Sequence, residues 1–140
     1  MIKANRNQLV NVGNQFQGTT KKILCVCSAG LLRSPTAANV IHKRLGLNTR
    51  ACGSCKDFAL IPISEALITW ADEIVFVNAD NLIELDGEEK VLISDLDKII
   101  SVLNVPDEFD WGTPKLEDTI FDQFVKRKKI IIQEFEYMFP

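Results

Sequence analysis

The run Lys22-Ile23-Leu24-Cys25-Val26-Cys27 is short and apolar, and it is followed at once by Ser28-Ala29-Gly30 and then by Arg33-Ser34-Pro35. Few architectures accept that order. A continuous apolar run bounded by a glycine-containing loop is the pattern of a strand buried on both faces. Proline fits the first turn of a helix, where no backbone N–H bond is lost. A buried strand, a tight loop and a helix in succession begin a crossover unit, and such units lead to parallel sheets covered on both sides.

The rest of the chain repeats the alternation. A helix is expected from about Ser34 to Leu45, with Ala37, Val40, Ile41 and Leu45 on one apolar face and Gly46 ending it. Leu47 to Cys52 is a second strand candidate. Ser64 can cap a helix running through Ala71. Ile74 to Val77 reads as a third strand and Asn78 to about Leu85 as a helix. Gly87 to Asp97 fits either element, with the helix favoured. Ile99 to Val105 reads as a fourth strand, Pro106 to Gly112 as a loop, and Thr113-Pro114 as the start of a long helix to about Tyr137. That last helix would turn Leu116, Ile120, Phe121, Phe124, Ile131, Ile132 and Phe135 inward. The expected fold is a single α/β domain over residues 21–140, three-layered, with a four-stranded parallel sheet flanked by helices. Residues 1–20, polar and rich in Asn and Gln, read as an extension before it.

Length and charge narrow the function. The chain has 140 residues, 46% hydrophobic and 25% charged, which suits one soluble domain. Its net charge of −3 offers no general attraction to nucleic acid or to an anionic membrane, so an anionic ligand would need a local site. The N-terminus lacks the apolar core of a signal peptide, and a cytoplasmic location with reduced thiols is expected for the four cysteines.

The first loop supplies such a site. An ordinary cysteine is only a few per cent thiolate at neutral pH. Here Cys27 ends a strand just before a helix. The N–H groups of Ser28, Ala29, Gly30, Leu31 and Leu32 can curl around one point, and the helix start adds its positive end. Arg33 adds a charge and a planar fork matched to two phosphate oxygens. Ser34 can hydrogen-bond the sulfur. Small residues let an anion approach the backbone closely. Together these features point to thiolate attack on a bound oxyanion, a phosphate ester above all, with no metal or cofactor required. A buried cysteine beside an unrelated surface arginine would not explain their coincidence.

Residues 27–37, Cys-Ser-Ala-Gly-Leu-Leu-Arg-Ser-Pro-Thr-Ala, resemble the signature loop of the low-molecular-weight protein tyrosine phosphatases, in particular a short bacterial and phage branch. Ser64 to Asp72 and Asn104 to Phe109 resemble that branch more loosely, and the likeness spans roughly residues 22–125. It implies hydrolysis of a phosphorylated protein or a small aryl phosphate, with inorganic phosphate or another oxyanion also taken by the loop. Cys27 would form a cysteinyl-phosphate, Arg33 and the loop amides would hold the oxygens, Ser34 would stabilise the sulfur, and an aspartate would serve as acid and then base. The family carries that acid in an Asp-Pro pair. Here the order is Pro106-Asp107, so Asp107 is the first candidate and Asp110 the second. Phe109 and Trp111 read either as an aromatic rim of the pocket or as core.

Two positions depart from the family pattern. Gly30 replaces an asparagine that braces the loop, which implies a looser loop. Leu32 replaces a cysteine that can protect the nucleophile, leaving Cys25 as a neighbouring thiol, though a cysteine inside a strand reads as core. Other readings are a phosphate-binding module without turnover, a zinc module built from Cys25, Cys27, Cys52 and Cys55, or an arsenate reductase-like enzyme, which would need further late cysteines. His42 reads as a surface residue. Lys126-Arg127-Lys128-Lys129 reads as a solvated helix face, otherwise as a patch for an acidic partner.

Overall fold

The computed structural model describes residues 20–30, 33–57, 59–105 and 114–134. The first apolar run is strand β1 (Lys22–Cys27), and it leads into helix α1 (Arg33–Leu45) and strand β2 (Asn48–Gly53). Helix α2 (Glu65–Trp70), strand β3 (Glu73–Phe76), helices α3 (Ala79–Ile83) and α4 (Gly87–Asp95), strand β4 (Ile99–Val102) and helix α5 (Pro114–Val125) follow. All strand pairings are parallel, in the order β2-β1-β3-β4.

The strand β1 is apolar along nearly its whole length, and both of its edges are paired, as are those of β3. Alternate residues go to opposite sides. Ile23, Cys25 and Cys27 join Ala37, Ile41, Val75, Leu116, Ile120 and Phe124 beneath α1 and α5. Leu24 and Val26 join Cys52, Leu67, Ile68, Ile74, Phe76, Leu82, Ile93 and Ile100 beneath α2, α3 and α4. The three-layer α/β architecture expected from the sequence is therefore the one found. Local caps agree with the sequence too: Ser64 Oγ accepts from the Leu67 N–H, and Asn78 and Asp86 each close a capping box. The segment that fitted either element, Gly87 onward, is helical.

The C-terminal region differs from expectation. α5 stops at Val125, and the chain returns so that Ile130 and Ile100 exchange two backbone hydrogen bonds, antiparallel, on the outer edge of β4. Ile132 is buried in the core opposite α5, and Ile131 is exposed. The reason lies in the cationic run. Lys126 and Lys129, three apart, would bring like charges onto one helix face, and Arg127 is drawn inward, its side chain 12% exposed.

Arg127 forks onto Glu73, Nε to Oε2 at 2.6 Å and Nη2 to Oε1 at 2.9 Å, while its guanidinium lies 3.7 Å from the Phe124 ring centre. Lys21 Nζ donates to Glu73 Oε1 at 2.6 Å, and Ser101 Oγ donates to Oε2 at 2.6 Å. The Glu73 side chain is fully enclosed. Burial by itself would raise its pKa, but the hydrogen bonds from Arg127, Lys21 and Ser101 outweigh it and hold the carboxyl down to about 2. The run Lys126–Lys129 is thus neither a helix face nor a uniform patch: one member ties the start of β1, the start of β3, β4 and the end of α5 together.

All of the expected 1–20 extension but Thr20, the loop Pro106–Gly112 and the residues beyond Glu134 lie outside the described residues. Among the described residues no helix is long and apolar enough to cross a membrane.

Glu73→Gln should lower unfolding stability at pH 7 by about 3 to 5 kcal/mol, because a buried cation is left without its counter-charge. In the parent protein a carboxyl with a lowered pKa stabilises the fold above its unfolded value. That contribution should fade as pH falls from about 4.5 toward about 2, and urea unfolding across this range should show a flatter pH dependence in the variant.

Candidate active site

Open parallel sheets bind ligands beyond the carboxyl ends of their strands, where neighbouring strands are entered from opposite directions. In this sheet that point is the end of β1, with β2 on one side and β3 on the other. Cys27 is the last residue of β1, and its residue surface is 3% exposed.

Two donors face its sulfur. The Gly30 N–H points back to Cys27 Sγ at 3.1 Å, and Ser34 Oγ lies 3.1 Å from the same sulfur. Ser34 is fully buried in the first turn of α1, and its hydroxyl also reaches the Cys52 carbonyl at 3.1 Å. A hydroxyl has one proton. With a thiol, Cys27 donates to Ser34 and Ser34 donates to Cys52. With a thiolate, the serine proton turns to the sulfur and the Gly30 N–H adds a second bond. The arrangement accommodates both the thiol and the thiolate without moving a heavy atom.

Gly30 makes this turn possible. Its φ is +72°, and a Cβ there would lie 3.0 Å from the Cys52 carbonyl carbon and from the Gly53 nitrogen. Gly53, at the end of β2, is equally constrained, since a Cβ would meet Ser28 O at 2.6 Å and the Ala29 carbonyl carbon at 2.8 Å. The loop therefore lies flat on the end of β2. Beyond Gly53 the chain keeps hold of it: the N–H groups of Ser54, Cys55 and Leu60 donate to the carbonyls of Cys27, Ser28 and Ala29 at 2.7, 3.0 and 3.3 Å. With their carbonyls so engaged, residues 27–29 are braced by backbone from outside.

Arg33, the first residue of α1, is half-buried, and its Nη1 donates to the Val105 carbonyl at 3.0 Å. Val105 in turn donates its N–H to Val77 at the end of β3. The arginine is thereby held across the carboxyl end of the sheet, next to the point where the chain enters the Pro106 segment. Leu31, Leu32, Asp107, Phe109, Asp110 and Trp111 lie outside the described residues.

The other cysteines separate cleanly. Cys25 shares the face of Cys27, Cys52 belongs to the opposite core, and Cys55 is half-buried beyond the end of β2. The four thiols do not converge, and among the described residues no group of three or more His, Cys, Asp or Glu side chains could hold a metal ion. Burial pushes the Cys25 thiol far up, with Glu73 and Cys27 adding to it. Burial does the same to Cys52, with Cys25, Cys27 and Glu89 adding. Both therefore stay protonated at neutral pH. Residues two apart on a strand are about 6.6 Å apart, whereas a disulfide needs Cβ atoms about 3.8 Å apart. Cys25 is not placed to protect Cys27 unless β1 bends. His42 is exposed, its Nδ1 2.8 Å from the Leu47 carbonyl.

Sequence reasoning passed over Gly53, Ser54, Asn81 and Glu84. Ser28 Oγ donates to Glu84 Oε1 at 2.9 Å, and Ser54 Oγ donates to the same oxygen at 2.7 Å. Asn81 Nδ2 donates to Ser28 Oγ at 3.1 Å. Only Gly53 left a trace in the sequence, as a glycine closing a strand candidate beside a second loop.

With this geometry in view, the comparisons with known proteins bear on the fold. No protein-family model matches the sequence, and no curated protein matches it. Two solved structures are similar. Wzb of Vibrio vulnificus, in complex with benzylphosphonate, has 16% identity and a TM-score of 0.50, covering 73% of this chain and 90% of its own. The YwlE arginine phosphatase from Geobacillus stearothermophilus has 16% identity and a TM-score of 0.46, covering 86% of this chain and 97% of its own. The fold is the low-molecular-weight phosphatase fold. The resemblance drawn from residues 27–37 and the architecture of the whole domain agree.

Gly53→Ala should lower stability by about 1 to 3 kcal/mol through overpacking and raise the rate at which iodoacetamide modifies Cys27, followed by peptide mass mapping. Gly46→Ala is the matched control. Its φ is +70° but nothing lies within 4 Å of a Cβ there, so it should cost about 1 to 2 kcal/mol and leave that rate unchanged. Equal rates in the two variants would show that the loop does not depend on the packing at Gly53.

Proposed function

We propose that this protein is a phosphomonoester hydrolase that works through a cysteinyl-phosphate. The observation that carries the reading is the placement of the Cys27 sulfur: at the carboxyl end of the central strand, 3.1 Å from both the Gly30 N–H and Ser34 Oγ, with Arg33 opening the next helix. The shared fold supports it, as does a neighbour of that fold that holds a phosphonate, a non-hydrolysable relative of a phosphate ester.

In the first step the Cys27 thiolate attacks phosphorus. The S–P bond forms as the P–O bond to the leaving group breaks, and Asp107 gives its proton to the departing oxygen. Arg33 and the N–H groups of residues 28–32 hold the three equatorial oxygens, where charge accumulates in the transition state. In the second step Asp107 takes a proton from water, the water oxygen bonds to phosphorus, and the S–P bond breaks. Ser34 donates to the sulfur as it leaves. Inorganic phosphate and the thiolate are the products, and no metal takes part. The chain leaves the described residues at Val105, whose carbonyl is already bonded to Arg33; Asp107 is two residues further along the sequence, and Asp110 is the second choice. An aryl phosphate such as phosphotyrosine suits the reading, with Phe109 and Trp111 as the rim that would stack on it. The expected location is cytoplasmic.

Turnover of an aryl phosphate in the presence of chelator tests the proposal. Cys27→Ser should lower kcat by roughly a thousandfold or more while still binding vanadate or phosphate. Arg33→Ala should lose both, with kcat/KM down by roughly 100- to 1,000-fold. Full activity in Cys27→Ser would eliminate the reading. Asp107→Asn should slow alkyl phosphates by roughly a hundredfold and aryl phosphates with good leaving groups far less. The reverse pattern, with the effect in Asp110→Asn alone, would move the acid to Asp110.

A further inference from the structure

Gly30 brings no side chain to stiffen the loop from within, yet the turn around Cys27 is well formed, so its rigidity has another source. Ser28, the residue after the nucleophile, has its hydroxyl fixed from two directions: it accepts from Asn81 Nδ2 at 3.1 Å and donates to Glu84 Oε1 at 2.9 Å. Ser54 donates to that oxygen at 2.7 Å and gives its own N–H to the Cys27 carbonyl at 2.7 Å. Asn81 is fully buried and Ser54 nearly so. One carboxylate oxygen therefore receives two hydroxyls, one from each side of the β1–β2 seam, and a longer 3.5 Å approach from Asn81. Glu84 itself is exposed at the end of α3, its backbone N–H bonded to Asp80 O at 3.0 Å. Among the described residues its Oε1 meets Ser28, Ser54 and Asn81.

We propose that Glu84, acting through Ser28 and Ser54, is a positioning residue that holds the oxyanion loop in its binding shape. It does so by reach rather than by charge. An anion behind a phosphate site is electrostatically unfavourable for binding the substrate, so an amide that keeps the same acceptor oxygen should serve as well. A carboxylate one methylene shorter should not, because the two hydroxyls lose their common acceptor. A loop displaced by about 1 Å loses on the order of a hundredfold in rate when it positions reacting atoms.

This inference rests on the phosphatase reading, and the experiment separates the two. Inorganic phosphate is titrated as a protectant of Cys27 against iodoacetamide, with the modified peptide mapped by mass, alongside kcat/KM for an aryl phosphate and a thermal melt of each variant. Glu84→Gln should keep both half-protection and kcat/KM within about threefold of the parent, since its amide oxygen accepts as before. Glu84→Asp should raise the half-protecting concentration and lower kcat/KM, each by roughly 10- to 100-fold, while its melt stays close to that of Glu84→Gln. Ser54→Ala, which leaves Glu84 in place and removes one hydroxyl, should show a smaller loss of the same kind. Glu84→Asp matching the parent in protection and turnover would overturn the proposal, as would Glu84→Gln failing as badly as Glu84→Asp. A parent protein that phosphate does not protect and that turns over no ester would instead overturn the phosphatase reading, and this assignment with it.

Discussion

Every feature of the site depends on β1 being paired along both edges. A strand so placed has its backbone groups taken up by β2 and β3, and its side chains divided between two cores. Only its carboxyl end is free to do anything else. Cys27 occupies that end, and the loop after it must run between the neighbours. The glycine pair follows from this crowding. Gly30 turns the chain with a positive φ directly above the Cys52–Gly53 peptide, and Gly53 lacks a Cβ because the Ser28–Ala29 backbone lies against it. The loop has the shape of what it rests on.

The two ends of the sheet are charged in different ways for different purposes. At the amino ends of the strands, Glu73 collects Arg127, Lys21 and Ser101 inside the protein, and the burial cost of its charge is offset by direct hydrogen bonds. At the carboxyl ends, Arg33 donates to a neutral backbone carbonyl, that of Val105. Glu84 stays behind the loop and deals only with hydroxyls and an amide.

Much of this was legible in the sequence, and the residues show why. Strand β1, helix α1 and the thiol–arginine loop are local: the apolar run, the small residues, Pro35 and Gly46 each act on their neighbours. The caps at Ser64 and Asn78 are local as well. What could not be read was decided at a distance. The helix from Pro114 has enough apolar residues to continue past Val125, but Arg127 is claimed by a glutamate that precedes it by 54 residues, and Ile130 by the edge of β4. Gly30 correctly signalled a left-handed turn. The looseness inferred from its missing side chain left out Ser54 and Glu84, which nothing in the local pattern connects to the loop.

That distance has a consequence for how the site comes into being. The hydrogen bonds around the loop join positions 27 residues apart, from Cys27 to Ser54, and 56 residues apart, from Ser28 to Glu84. Contacts of such separation form only after the intervening chain has closed, and they come late in folding. A fragment ending before α3 would contain the thiol, the arginine, the helix start and Ser54, yet lack Asn81 and Glu84, which hold Ser28, and Val105, which holds Arg33. The proposed anion site would thus be a property of the completed domain. Under that proposal an oxyanion would bind the native state alone, and at a hundred times its Kd it would add about 2.7 kcal/mol to the stability of the whole fold. Ligand affinity and folding stability would then be two measurements of the same assembly.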